Sequence, residues 1–251
     1  MSTRTPLIAG NWKMFKTCTE ARDTAADLAG RVPSPGDREI MIAPQFTALV
    51  PVSEALAGSP IALGAQNVFW ENEGAYTGEV SPAMLTAAGC RFVIIGHSER
   101  RLYFRETDES VNKKIGACLA AGLVPVMCIG ETEAQRDAGE TFSVLDKQVQ
   151  NGVKGFDSNR LEKLVIAYEP VWAIGTGKTA TADQAQQAHA HIRQQVAEIF
   201  GTALADGLRL LYGGSVKPAN IKELMEMPDI DGALIGGASL DAETFSQIIN
   251  Y

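Results

Sequence analysis

Phe92-Val93-Ile94-Ile95-Gly96-His97-Ser98-Glu99 joins four large apolar residues directly to a glycine and three polar side chains. A strand with one wet face alternates apolar and polar residues, and this run does not alternate. Both of its faces must be buried, which is the condition of a parallel sheet covered by helices. The same continuous pattern appears in Val124-Pro125-Val126-Met127-Cys128-Ile129 and in Leu164-Val165-Ile166-Ala167. Comparable runs begin near Leu7, Glu39, Ile61, Arg91, Leu123, Lys163, Leu208 and Gly232. Their mean spacing is about 32 residues, the size of one strand–helix unit. The segments between them carry helical periodicity. Val111, Ile115, Cys118, Leu119 and Gly122 mark one face, and Ala185, Ala188, Ile192, Val196, Ile199 and Phe200 mark another. At the end of the chain, Phe245, Ile248 and Ile249 fall on one side of the segment from Asp241 to Asn250. Eight such units predict an α/β fold, a closed (β/α)₈ barrel of parallel strands ringed by helices. A doubly wound open sheet should carry a glycine-rich fingerprint after its first strand, and here that strand runs into Asn11-Trp12-Lys13-Met14. With no linker or low-complexity stretch, residues 1–251 are expected to form one domain.

Composition narrows the function. The chain has 251 residues, with 45% hydrophobic and 21% charged, as in an ordinary globular protein. No run of apolar residues is long enough to span a bilayer, and the first residues lack the apolar core of a secretory leader. The four cysteines, Cys18, Cys90, Cys118 and Cys128, form no C-x-x-C pair, so a reducing, cytoplasmic setting is expected. A net charge of −8 argues against nucleic-acid binding. It also means that an anionic ligand needs a local site built from backbone N–H groups and a lysine.

In a barrel of this kind the C-terminal strand ends converge on one mouth, where the chemistry resides. Those ends supply Asn11 and Lys13, then Gly96-His97-Ser98-Glu99, then Tyr168-Glu169-Pro170, then Tyr212-Gly213-Gly214-Ser215-Val216, and finally Gly236-Gly237-Ala238-Ser239. Taken singly, Lys13 reads as a solvated loop lysine, His97 as a core histidine and Glu169 as a helix cap. Three different titratable groups at three strand ends of one barrel read together as an active site. The glycine pairs after the last two strands permit close backbone approach and suit phosphate binding at helix N-termini. Gly177-Lys178-Thr179 looks like the end of a nucleotide-binding loop. That pattern requires a glycine where Trp172 stands, so ATP or GTP binding is not expected. The small residues beyond Pro170-Val171-Trp172 suit a mobile lid. His189 and His191 are two apart on a predicted helix and face different ways, so no metal site is expected.

Taken in order, Asn11-Trp12-Lys13-Met14, Gly74-Ala75-Tyr76-Thr77-Gly78-Glu79-Val80-Ser81, Val93 to Arg101, Ala167 to Gly177, Tyr212 to Val216 and Gly236 to Leu240 resemble the triosephosphate isomerase family. The likeness covers essentially the whole chain. It is weakest in the surface stretches from Thr19 to Gly36 and from Val149 to Arg160, and in the C-terminal helix. The resemblance implies cofactor-free interconversion of dihydroxyacetone phosphate and D-glyceraldehyde 3-phosphate through an enediolate, a step of glycolysis and gluconeogenesis. It implies Glu169 as the base, His97 as the electrophile, and Lys13 and Asn11 as partners of the substrate and of the developing charge. Gly175, Ser215, Gly236 and Gly237 would hold the phosphate, and Pro170 to Thr176 would form the lid. It further implies a homodimer in which the long loop Gln66 to Ser81 inserts beside the partner's active site. There Thr77 would reach toward Asn11 and Lys13 of the partner subunit. Glu99 is left with two readings, positioning Lys13 by charge pairing or tuning proton transfer, and Cys128 is expected to serve packing; neither is counted as catalytic. A catalytically silent phosphate-binding barrel or scaffold protein is the competing reading.

Overall fold

The computed structural model describes residues 4–32, 36–173 and 179–251. Its strands are β1 Leu7–Asn11, β2 Glu39–Ala43, β3 Ile61–Ala65, β4 Cys90–Ile95, β5 Val124–Ile129, β6 Val165–Tyr168, β7 Arg209–Tyr212 and β8 Gly232–Ile235. They close into a barrel in chain order. Leu7 registers with Glu39 on one side and with Gly232 on the other, so β8 seals the sheet against β1, and both pairings are parallel. The strand starts expected from the apolar runs fall within two residues of those observed.

The uninterrupted run in β4 has the predicted cause. Phe92 and Ile94 point into the barrel and pack with Leu7, Met41, Val126 and Leu234. Val93 and Ile95 point outward into a second core, between sheet and helices, with Val111 and Ile115. All four are fully buried, and each such side chain contributes roughly 2 kcal/mol of hydrophobic stabilisation.

Among the described residues the helices are α1 Cys18–Arg31, α2 Leu49–Ala55, α3 Pro82–Ala87, α4 Ser98–Phe104, α5 Asp108–Ala120, α6 Glu133–Asp137, α7 Thr141–Gly152, α8 Ala182–Phe200, α9 Thr202–Gly207, α10 Ile221–Met225 and α11 Ala242–Ile249. Their starts follow from capping chemistry. Thr17, Thr107 and Thr181 each accept a hydrogen bond from a first-turn N–H and receive one back through a capping box. Asp241 accepts from the Thr244 N–H at 2.8 Å and turns Phe245, Ile248 and Ile249 into the core.

Two expected helix faces need correction. In α5, Val111, Ile115 and Cys118 are buried, but Gly122 lies beyond the helix end with φ +77°. It serves the turn into β5 rather than the face. In α8, Ile199 is 40% exposed, while Val196 and Phe200 on either side of it in the last turns pack against the core. No helix among the described residues is long and apolar enough to cross a membrane. The four cysteines are unpaired, with Cys18 exposed and Cys90, Cys118 and Cys128 buried.

Candidate active site

The mouth of the barrel holds a cavity of about 260 Å³ lined by Asn11, Lys13, His97, Glu169, Ser215, Gly236 and Gly237, among others. Seven of the eight residues expected to act in the site therefore share one space. The eighth, Gly175, lies outside the described residues, as do residues 174–176 of the expected lid.

β1 ends at Asn11, whose side-chain oxygen accepts the Lys13 N–H at 3.0 Å. The turn this bond closes holds Lys13 at φ +50°, a left-handed conformation that costs a lysine energy and is fixed only when its surroundings over-determine it. Gln66 completes that restraint by donating to the Lys13 carbonyl at 2.8 Å. The Lys13 side chain then crosses the mouth over Gly236, where a Cβ would stand 3.1 Å from Lys13 Cε. Its Nζ ends on Glu99 Oε1 at 2.5 Å. Of the two readings left open for Glu99, the structure therefore shows the charge pair with Lys13.

β4 ends in Gly96, and His97 caps α4 with its ring: Nδ1 accepts the Glu99 N–H at 3.3 Å. An accepting Nδ1 bears no proton, so the hydrogen-bond pattern assigns the ring proton to Nε2, which meets Glu169 Oε1 at 2.8 Å. Glu169 Oε2 accepts the Ser98 N–H at 2.8 Å. Glu169 is 2% exposed. Burial pushes its carboxyl pKa up, but His97, the Ser98 N–H and Lys13 more than offset that and hold it below the ordinary carboxylate value. Burial likewise pushes the His97 pKa down, and Glu169 more than offsets it, so the ring's pKa lies above its usual value while the two groups touch. Against that rise, protonating Nδ1 would break the cap of α4, and the cap favours the neutral ring. The backbone after β6 is crowded too. A Cβ on Gly130 would fall 1.7 Å from the Glu169 carbonyl oxygen, so only glycine fits there.

The glycine turns differ in part from expectation. Gly236 leads directly into a 3₁₀ turn, Gly237–Ser239, which presents a helical N-terminus to the cavity. Gly213-Gly214 opens no helix, since α10 starts only at Ile221. There the reason for glycine is contact: a Cβ on Gly213 would lie 2.8 Å from Glu169 Cγ. Cys128 is fully buried behind the site, and burial drives its thiol pKa well above the ordinary value, so it is not a nucleophile.

Sequence reasoning missed three supports. Glu131 is fully buried at the foot of the segment after Glu169. Its Oε1 accepts Trp172 Nε1–H at 2.8 Å and the Tyr168 hydroxyl at 3.1 Å, with Arg136 at 3.3 Å. Glu106 accepts the Gly96 N–H at 3.1 Å and pairs with Arg100 and Lys114 at 2.7 and 2.9 Å, bracing the turn that carries His97. Lys217 also lines the cavity. Only the bulk of Trp172 and the acidic-basic spacing in α4 and α5 hinted at the first two.

The arrangement can abstract and return a proton. It pairs a buried carboxylate with a neutral N–H donor, a lysine cation and an open turn of backbone N–H groups. A family model described as triosephosphate isomerase matches residues 6–251. A Geobacter metallireducens protein named triosephosphate isomerase is 60% identical over 99% of this chain and 99% of its own length. One of that name from Moorella thermoacetica is 55% identical over the same shares. The crystal structure of triosephosphate isomerase from Bartonella henselae superposes with a TM-score of 0.88 at 39% identity, covering 98% of each chain. Sequence, barrel and site agree, and this chain belongs to the triosephosphate isomerase family.

Proposed function

We propose that Glu169, His97, Lys13 and Asn11 carry out the isomerase reaction of this chain, the interconversion of dihydroxyacetone phosphate and D-glyceraldehyde 3-phosphate. The observation that carries the reading is the contact of Glu169 with His97 Nε2 and the Ser98 N–H inside the mouth, beside Lys13. These contacts satisfy both carboxylate oxygens. A substrate whose carbonyl oxygen takes the His97 N–H releases Glu169, and the carboxylate then gains basicity, because burial remains while the stabilising partners are lost. The freed carboxylate removes the proton alpha to the carbonyl. Negative charge develops on the two oxygens, where His97 Nε2–H and Lys13 Nζ–H can donate to it. Asn11 spends its oxygen on the Lys13 N–H, which leaves its amide donors for the substrate. Glu169 returns the proton to the neighbouring carbon.

Ser215, Gly236 and Gly237 are proposed to bind the phosphate. Their place in the same cavity and the 3₁₀ turn at Gly237 support this. Gly175 and the lid of Pro170 to Thr176 belong to the same proposal. Shortening the lid should raise loss of phosphate to methylglyoxal. The closed barrel running from Leu7 to Ile235 supports one catalytic domain over 1–251. The unpaired cysteines support a cytoplasmic setting, and membership of the triosephosphate isomerase family supports a place in glycolysis.

A homodimer through the loop around Thr77 is part of the reading. In that loop Trp70 and Tyr76 each pack against Phe69, with Thr77 exposed beside them. A second cavity, of about 270 Å³, opens behind Asn11, Lys13 and His97 and is lined by Met14, Phe46 and Phe104. Met14 is 94% exposed and Phe104 66%, an apolar rim of the kind a partner covers. Sedimentation at micromolar concentration should give twice the chain mass.

The experiment for the reaction is turnover of either triose phosphate by purified protein in excess chelator without added cofactor. Turnover supports the reading. A folded protein without it would favour the silent phosphate-binding barrel.

A further inference from the structure

We propose that Lys217 is a substrate-selecting charge at the phosphate side of the mouth, which draws the dianion into the cavity and sets its apparent affinity. The inference rests on the isomerase reading and adds to it a residue outside the expected set.

Among the described residues, four side chains that line the cavity can bear charge: Lys13, His97, Glu169 and Lys217. Three of them are engaged with one another or with a neighbour. Lys13 Nζ is held by Glu99 at 2.5 Å, and His97 and Glu169 are joined at 2.8 Å. Lys217 has no ion-pair partner among the described residues. Its backbone is fixed instead: its N–H donates to Asn220 Oδ1 at 2.8 Å, its carbonyl accepts the Ile221 N–H at 3.2 Å, and Asn220 Nδ2 donates to the Ser215 carbonyl at 3.1 Å. The stem of the lysine is therefore tied to the turn that carries Ser215, while the side chain is exposed. Lys217 is thus an uncompensated cation on the rim beside the proposed phosphate contacts, in a chain whose net charge of −8 repels the substrate.

The consequence is electrostatic. An unpaired cation at roughly 8 Å from a phosphate dianion in water should raise association about fourfold at 0.01 M ionic strength and about twofold at 0.1 M. The effect acts on capture more than on proton transfer, so it should move KM more than kcat, and it should select for a doubly charged phosphate over a neutral terminal group.

The test is kcat/KM of Lys217→Gln and Lys217→Glu for glyceraldehyde 3-phosphate across that salt range. Lys163→Gln serves as a control of equal net charge change, since Lys163 precedes β6 at the opposite end of the barrel. Lys217→Gln should lose about fourfold at low salt and charge reversal about sixteenfold, with both losses shrinking as salt rises. Lys163→Gln should lose little. A structural role would lower kcat and melting temperature without salt dependence. Equal kcat/KM for wild type and both Lys217 variants at low salt would overturn the inference and leave the isomerase reading standing. Absence of turnover by the wild type would overturn that reading instead.

Discussion

His189 should make the fold lose stability in mild acid, by an amount that can be calculated. Its ring is fully buried under the barrel between Tyr168 and the Asp229 carbonyl, which Nδ1 meets at 3.1 Å. Nε2 has no hydrogen-bond partner among the described residues. Arg193 ties Asp229 and Asp231 at 2.6 and 2.7 Å nearby, so those carboxylates are already neutralised. Burial therefore dominates and lowers the histidine pKa from 6.5 to about 4. The unfolded chain takes up the proton near pH 6.5 and the folded chain only near 4, so protons favour unfolding between them. The contribution is complete above pH 6.5 and is lost as pH falls toward 4. The difference of about 2.5 pH units corresponds to about 3 kcal/mol, most of it spent by pH 4.5. Against a total of about 5–15 kcal/mol this is a large share. The assay is urea unfolding at fixed protein concentration from pH 8 to 4.5, comparing wild type with His189→Gln. Glutamine can still donate to the Asp229 carbonyl but does not titrate. The two stability curves should converge by about 2.5 kcal/mol as pH falls. Parallel curves would refute the reasoning, because a buried neutral histidine must produce the difference.

The other predictions concern the site. His97→Gln removes the partner that offsets the burial of Glu169, so the acid limb of kcat/KM should move up from below pH 4.5. The substrate phosphate titrates alike in both profiles, so an unchanged limb would contradict the pairing. Gly236→Ala would set a methyl 3.1 Å from Lys13 Cε and push the lysine off its line. KM should rise about tenfold with the fold intact, and an unchanged KM would count against the proposed contact of Lys13 with the substrate. Tyr168→Phe takes one donor from the buried Glu131 and should cost about 1 kcal/mol in urea unfolding. A neutral result would mean that the hydroxyl does not support that carboxylate.

How much of this was legible in sequence depended on which physical rule each residue obeys. The barrel was readable because a strand packed on two faces leaves no polar position, as Phe92 to Ile95 does. Lys13, His97 and Glu169 were readable because a polar residue at the end of such a strand has only the mouth to face. Lys114 was not, since a lysine on a helix ordinarily turns to water. Here it lies 5% exposed with Glu106 and Asn67 as partners, contributed from outside α5. The burial of His189 was equally hidden, because an alanine-rich helix gives little contrast between its faces. The pairing of Lys13 with Glu99 spans 86 positions, and only the closure of the barrel brings them together. Gly213-Gly214 looked like a helix-opening turn because both uses of glycine, free φ and close approach, leave the same letters in the sequence.

The central claim is that Glu169 moves the proton, and the direct test is Glu169→Gln. The variant keeps the shape and burial of the side chain and loses only its basicity. Its kcat should fall at least about a thousandfold, with incorporation of solvent deuterium into dihydroxyacetone phosphate lost in parallel and the circular dichroism and melting profile of a folded barrel retained. A variant that still exchanges and isomerises at near the wild-type rate would contradict the account, since no other carboxylate among the described residues lines the cavity.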